Sequence, residues 1–176
     1  LRRNPPGAAS LRALQHHLGE QEGDAVVGRV LCQDAALEDR AKLDERQRDI
    51  TIRHLLQHRG GWDRDKSFDA MFQPVRFAQS LGTMSPAGPQ EVIRCMLGQR
   101  LDFSPGERFA YSNYGYCLLG RVIEVLTKQS YEDYVKEHVL APAGIRSMRI
   151  GQTRLDGRSG GEVRYYDPAT GPSVFA

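Results

Sequence analysis

Apolar residues recur at intervals of three and four along the second half of the chain, and this spacing predicts helices. The longest pattern follows Asn113, whose side chain is well suited to an N-cap. Its apolar positions are Cys117, Leu118, Val122, Val125 and Leu126. A second helix is predicted to open at Pro89, because proline suits a first helical turn, and to end at Gly98. Its apolar face consists of Val92, Ile93, Met96 and Leu97.

A shorter helix is predicted in the middle of the chain, where Ile52, Leu55 and Leu56 share one face. Asp49 or Thr51 can cap it, and the glycine pair at 60–61 is expected to end it. A further helix is predicted from Ser130 to about Val139, because a serine followed three residues later by an acidic side chain is typical of a capping box.

The remaining segments have weaker patterns. Residues 11–18 place leucines on one helical face, and residues 25–31 form an apolar run that fits either a strand or a helix. Residues 63–72 and 82–88 are expected to be loops or short turns. After residue 147, the stretches MRIG and EVRYYDP alternate like strands. The chain is therefore predicted to be mainly α with minor β.

Composition excludes several partners. The 176 residues include 24 basic and 22 acidic side chains, so the charge balance favours neither nucleic acid nor an anionic membrane. No run of about 18 apolar residues is present, and no membrane span is predicted. The basic start of the chain lacks a following apolar region, so no signal peptide is predicted, and the chain does not begin with Met.

Neither cysteine nor histidine spacing indicates a metal site. Cys32, Cys95 and Cys117 are too widely spaced for a metal knuckle, and their odd number argues against a disulfide framework. Cys117 is expected to be a buried, inert thiol. The pair His16-His17 has no companion ligands at suitable spacing. No metal and no organic cofactor is predicted.

Two stretches carry a resemblance to a known family. ITIRHLLQHRGGWD, Ile50–Asp63, resembles the segment usually written I-T-I-R-H-L-L-x-H-x-x-G in the serine β-lactamase-like family. That family includes class C β-lactamases, penicillin-binding carboxypeptidases and related esterases. The region Phe103–Ile145 resembles the family's second signature, in which a Pro-Gly turn precedes Tyr-x-Asn and a helix follows. The order and separation of the two stretches also match.

The resemblance implies an acyl-transfer site. In the family a Ser-x-x-Lys serine is the nucleophile, a tyrosine accepts or relays its proton, and an asparagine orients the lysine and the substrate carbonyl. Carried over, Tyr111 is the implied base and Asn113 the implied orienting amide, while Ser112 occupies the variable middle position. Trp62 is a candidate for lining the substrate cleft, or else a core aromatic. From local sequence alone, Tyr111 and Asn113 also fit an aromatic plug and a helix N-cap.

Two parts of the family's machinery have no match in these 176 residues. No serine is followed three residues later by lysine. Ser10 is the candidate nucleophile by location, but position 13 is alanine. The late Lys-x-Gly or His-x-Gly motif is also missing, because His58-Arg59-Gly60 precedes Tyr111. His58 is interpreted instead as an imidazole at a helix C-terminus, where it complements the dipole.

The resemblance also implies an architecture. The chain corresponds to the helical lobe of the α+β serine β-lactamase-like, or penicillin-binding transpeptidase, fold, with most of the sheet missing. Residues 1–28 form an uncertain N-terminal segment, 29–150 the helical lobe and 151–176 an incomplete β return. A lobe without its sheet is expected to leave an apolar face for a partner or a missing segment to cover.

Two functions remain open at this stage. The first is a segment of a serine hydrolase that acts through an acyl-enzyme on an ester, amide or lactam, with a small-molecule or peptide substrate in the complete protein. This segment is predicted to be inactive alone. The second is a non-catalytic helical module, derived from the same family, that binds a peptide or a protein. Members of the family are often periplasmic or secreted, but the sequence identifies no compartment.

Overall fold

The computed structural model describes residues 27–31, 43–151 and 157–163, together with the backbone of residues 166–167 and 171–172. Residues 27–31 are helical, which settles the alternative that the apolar run at 25–31 left open. The predicted helical face at 11–18 lies outside the described residues. Five α-helices follow within the described part: α1 Ile52–Leu56, α2 Pro74–Leu81, α3 Pro89–Leu97, α4 Asn113–Thr127 and α5 Tyr131–Val135.

Shorter helical turns and two very short strands complete the described structure. Glu45–Asp49, Ala70–Phe72 and Ala141–Ala143 are 3₁₀ turns, and Lys136–Leu140 is a π-helical turn that continues α5. The strands β1 Tyr166–Asp167 and β2 Gly171–Pro172 pair antiparallel, with Tyr166 opposite Pro172. The prediction of a mainly α chain with minor β is confirmed. The predicted strand at 148–151 is wrong, because those residues are irregular in the structure.

The patterns of α3 and α4 predicted buried faces correctly, whereas Leu56 on the predicted face of α1 is 47% exposed. The apolar face of α3 is buried, with Ile93 fully inaccessible to solvent, and Leu118 on α4 is equally inaccessible. α1 and α5 pack against α4, and α2 packs against α3. Val27, Val30 and Leu31 from the first helical segment join the same core. Burial of these faces supplies the main driving force for the arrangement.

Helix ends show where local signals were sufficient. The side chain of Thr51 caps α1 by accepting a hydrogen bond of 3.1 Å from the His54 amide. Ser130 caps α5 in the same way, through the Asp133 amide at 3.1 Å. The predicted end of α1 is wrong: the helix stops at Leu56, before the glycine pair. α2 was not predicted, although Pro74 at its start and a left-handed glycine at its end are typical helix boundaries.

The cap of α4 also differs from the prediction. Ser112, not Asn113, is the N-cap: its backbone is extended and its Oγ accepts a hydrogen bond of 3.2 Å from the Gly115 amide. Serine and asparagine are about equally good caps, so adjacent candidates leave the boundary uncertain by one residue. As a result Asn113 becomes the first helical residue, and its side chain is available for other contacts.

Residues 102–112, which precede α4, run alongside residues 58–61. Backbone hydrogen bonds hold the two segments together. The Gly61 carbonyl accepts from the Asp102 amide at 2.8 Å, and the Arg59 carbonyl accepts from the Gly106 amide at 2.8 Å. Gly61 has φ 111°, and a Cβ there would lie 2.9 Å from the Phe103 carbonyl oxygen. Only glycine fits this close approach. Gly61 therefore allows the two segments to approach closely.

After Val122, none of the described residues is fully buried. Over residues 139–150 several large apolar side chains are exposed, namely Val139, Ile145, Met148 and Ile150. Within the described residues no helix is both long and apolar enough to cross a bilayer.

Candidate active site

Tyr111 lies in the extended segment just before α4, and its side chain is accessible. The residue is 44% exposed, and its phenol donates a hydrogen bond of 3.0 Å to Oδ1 of Asn113. The ring is therefore at the surface and not enclosed by packed side chains.

Asn113 is fixed from its other side by an acidic residue. Its Nδ2 donates a hydrogen bond of 2.7 Å to Oδ2 of Asp69. The second carboxylate oxygen, Oδ1, accepts from the Met71 amide at 3.0 Å and caps the turn Ala70–Phe72. The amide nitrogen must face the carboxylate, because only nitrogen can donate. The amide oxygen consequently faces Tyr111.

Ser112 is positioned by the backbone and not for chemistry. Only 8% of the residue is exposed, and its Oγ is engaged by the Gly115 amide as the cap of α4. The side chains of Tyr111 and Asn113 meet above this capped helix start. The Tyr-x-Asn spacing produces this geometry. The side chain of the middle residue, Ser112, points inward, and the side chains of Tyr111 and Asn113 turn toward each other.

His58 contacts the same segment from its position just after the C-terminus of α1. α1 ends two residues earlier, and His58 has a left-handed backbone with φ 53°. Its Nδ1 accepts a hydrogen bond of 3.2 Å from the Ser112 amide. The imidazole packs against the Tyr111 ring, with the centroids 4.6 Å apart.

A cation also lies beside Tyr111. The guanidinium carbon of Arg64 is 4.9 Å from the centroid of the Tyr111 ring, within the range of a cation–π contact. The Arg64 side chain is about half exposed, and its distance to the Asp65 carboxylate is 3.8 Å. A positive charge thus stands next to the phenol, although no Ser-x-x-Lys lysine is present in the sequence.

Comparison with known proteins identifies the family. A family model described as Beta-lactamase matches residues 15–173, which is most of the chain. The chain belongs to the Beta-lactamase family. The resemblance inferred from Ile50–Asp63 and Phe103–Ile145 is therefore confirmed at the level of the family, and so is the fold class.

Individual relatives agree with this assignment to the Beta-lactamase family. Over 63 residues the chain is 43% identical to "Protein flp" of Staphylococcus aureus strain MW2. These residues make up 36% of this chain and 13% of that protein. Over 109 residues it is 33% identical to "Penicillin-binding protein 4*" of Bacillus subtilis strain 168, covering 60% of this chain and 22% of that protein. The chain thus spans less than a quarter of the length of these relatives.

One solved structure with a similar backbone is an octameric penicillin-binding protein homologue from Pyrococcus abyssi. The match has 27% sequence identity and a TM-score of 0.44, and it covers 70% of this chain and 30% of that one.

Trp62 is buried next to the candidate site. It is 5% exposed, and its ring meets Tyr114 edge-on with centroids 4.6 Å apart. It also lines a small pocket together with Arg64, Asp69 and Ser112. Burial raises the pKa of Tyr114 well above its ordinary value, so this phenol stays protonated. Trp62 is therefore a core aromatic whose side chain borders this small pocket.

Other candidates contribute nothing to the described site. Ser10, His16 and His17 lie outside the described residues. Among the residues that the structure does describe, no three His, Cys, Asp or Glu side chains come together in a metal-binding arrangement. Sequence reasoning missed Asp69 and Arg64 entirely. Asp69 is 44 residues from Asn113, and no local spacing connects them.

Proposed function

We propose that this chain is the helical part of a serine hydrolase that forms an acyl-enzyme with an ester, amide or lactam. Tyr111 takes the proton of the attacking hydroxyl, and Asn113 orients the lysine of the nucleophile motif and the substrate carbonyl. One observation carries the proposal: an exposed phenol is hydrogen-bonded at 3.0 Å to an amide that a carboxylate fixes in turn.

The geometry supports these roles in two ways. A general base must come within hydrogen-bond reach of the proton that it accepts, and Tyr111 is 44% exposed. An asparagine amide has two hydrogen atoms on its nitrogen. Asp69 engages one of them at 2.7 Å, so the other is free to face a substrate oxygen.

We place the nucleophile in a segment of the complete protein for which these 176 residues contain no match. No Ser-x-x-Lys is present, and the late Lys-x-Gly or His-x-Gly motif is absent from the sequence as well. We therefore expect the chain alone to be inactive. The exposed apolar side chains over residues 139–150 support a missing segment or a partner that packs there.

A labelling experiment tests whether the chain alone is inactive. The chain is incubated with a chromogenic lactam, a short-chain acyl ester and a fluorescent penicillin, and intact-mass spectrometry follows any adduct. We expect neither turnover nor a stoichiometric adduct. An adduct on any serine contradicts the assignment of an inactive segment and directs attention first to Ser10.

A second experiment tests the role of Tyr111. The complete protein is one that contains the Ser-x-x-Lys motif and the late Lys-x-Gly or His-x-Gly motif. In it, acylation is measured for the native sequence, for Tyr111→Phe and for the control Tyr131→Phe. Loss of a general base slows catalysis by about 10²–10⁴-fold, so Tyr111→Phe should show a loss in that range. Tyr131→Phe should retain the native rate. An unchanged rate for Tyr111→Phe refutes its role as the base.

The same measurement distinguishes the serine hydrolase from the alternative, a non-catalytic binding module. If the complete protein folds but acylates none of the three probes, the non-catalytic binding module derived from this family becomes the better assignment.

A further inference from the structure

His58 holds two alternate backbone amides of the segment that carries Tyr111. Its carbonyl oxygen accepts from the Ala110 amide at 2.9 Å, and its Nδ1 accepts from the Ser112 amide at 3.2 Å. In an extended backbone, alternate N–H groups point to the same side. Here a single residue supplies both acceptors, the first from its main chain and the second from its ring.

The imidazole ring also lies between two tyrosines. Its centroid is 4.6 Å from that of Tyr111 and 4.8 Å from that of Tyr116, with interplanar angles of 34° and 26°. Tyr116 is anchored in turn, because its phenol donates to the Leu56 carbonyl at the end of α1, at 3.3 Å. The Tyr111 ring therefore rests on a stack whose far end is tied to another helix.

The backbone at His58 points to a specific need for this side chain. Its φ of 53° lies in the left-handed region, where non-glycine residues are disfavoured. A glycine would adopt this conformation more easily. Histidine is nevertheless the residue at this position. A glycine would lose the Nδ1 acceptor and the ring contacts with Phe109, Tyr111 and Tyr116.

We propose that His58 is a positioning residue that sets the direction of the Tyr111 phenol. The hydrogen bond to the Ser112 amide fixes the backbone on the C-terminal side of Tyr111, and the carbonyl of His58 fixes it on the N-terminal side. The imidazole face then limits the rotamers of the phenol. The functional meaning of this inference rests on the proposed role of Tyr111, but the contacts themselves can be measured without any catalytic assay.

Two variants separate the acceptor from the ring. His58→Phe keeps an aromatic face between the tyrosines and removes the acceptor. His58→Asn removes the ring but keeps a side-chain oxygen close to the former position of Nδ1, and asparagine tolerates a left-handed backbone.

The test uses nuclear magnetic resonance on the full ¹⁵N-labelled chain. In the native protein we expect a through-hydrogen-bond coupling between the Ser112 amide nitrogen and His58 Nδ1. In His58→Phe, hydrogen exchange of the Ser112 amide should be about fivefold to tenfold faster, the change expected for loss of one hydrogen bond. In His58→Asn it should stay close to the native rate. The Leu118 amide, in the middle of α4, reports whether each variant remains folded.

A native protein without this coupling, or a His58→Asn variant whose Ser112 amide exchanges as fast as that of His58→Phe, overturns the proposal. In the complete protein, His58→Phe should lower kcat of acylation by about tenfold with little change in KM, and His58→Asn, which keeps an acceptor but loses the ring, should lower kcat by a smaller factor. A complete protein that does not acylate contradicts the proposed function and leaves the resonance measurements to decide on His58.

Discussion

Asp69 and Asn113 are joined by a hydrogen bond of 2.7 Å across 44 residues of sequence, from a carboxylate oxygen to a side-chain amide nitrogen. This bond decides which end of the amide faces Tyr111. The same carboxylate caps the turn at Ala70–Phe72 through its other oxygen. One acidic residue therefore supports both the local turn and the candidate site.

Replacing Asp69 by alanine should reduce stability. The variant loses a hydrogen bond to a charged group as well as a cap, and the two together are expected to lower the free energy of unfolding by about 1–3 kcal/mol. Urea denaturation followed by circular dichroism measures this change. Asp65→Ala is the matched control: the Asp65 side chain is 91% exposed, and its variant should stay within about 0.5 kcal/mol of the native chain. Equal effects of the two substitutions argue against a structural role for Asp69.

Two leucines test how far the α4 interface controls stability. Leu118→Ala removes a side chain that is 0% exposed, and such cavities cost about 2–5 kcal/mol. Leu56→Ala makes the same chemical change at a position that is 47% exposed, so we expect a loss below about 1 kcal/mol. Thermal and urea unfolding of both variants provide the comparison. A Leu56 variant as unstable as the Leu118 variant means that residue 56 is covered in solution.

The ion pair between Asp44 and Arg46 should make stability depend on pH. The hydrogen bonds from the Arg46 side chain lower the pKa of Asp44 to about 2, and the amide of Leu101 contributes in the same direction. The unfolded chain has the ordinary value near 3.9. Because the folded-state pKa is the lower one, the stabilisation is complete above about pH 5 and disappears as the pH falls towards 2.

Asp44→Asn provides the measurement. At pH 6 this variant should be less stable than the native chain, and the difference should shrink as urea titrations are repeated at pH 4 and pH 3. A difference that stays constant over this range contradicts the assignment of the effect to the Asp44 carboxylate.

Cys117 should be unreactive in the folded chain. Burial raises the pKa of its thiol to about 11, so only about one thiol in a thousand is ionised at pH 8. Alkylation by iodoacetamide, followed by peptide mass spectrometry, should therefore be slow at pH 8 and rise about tenfold with each pH unit. Addition of urea at pH 8 should release the fast rate of an exposed thiol. Equal rates with and without urea at pH 8 indicate that Cys117 is accessible in the folded chain.

The sequence predicted those features whose causes are local. The apolar period of α3 and α4 identified buried positions such as Ile93 and Leu118, because a helix places residues three and four apart on one face. The caps at Thr51 and Ser130 were correct for the same reason, since each bonds an amide only three residues away. The short α2 was missed although Pro74 and Gly82 mark its ends, because its eight residues make only about two helical turns.

The sequence by itself determined the helical pattern, the family and the Tyr-x-Asn pair, because each of these is written in residues close together along the chain. Only the tertiary structure decided what surrounds that pair: the carboxylate of Asp69, the imidazole of His58 and the cation of Arg64. These contacts depend on how residues 58–72 dock against residue 111 and its neighbours. Docking is set by the burial of a shared core and by hydrogen bonds between distant segments, and no short sequence interval encodes it.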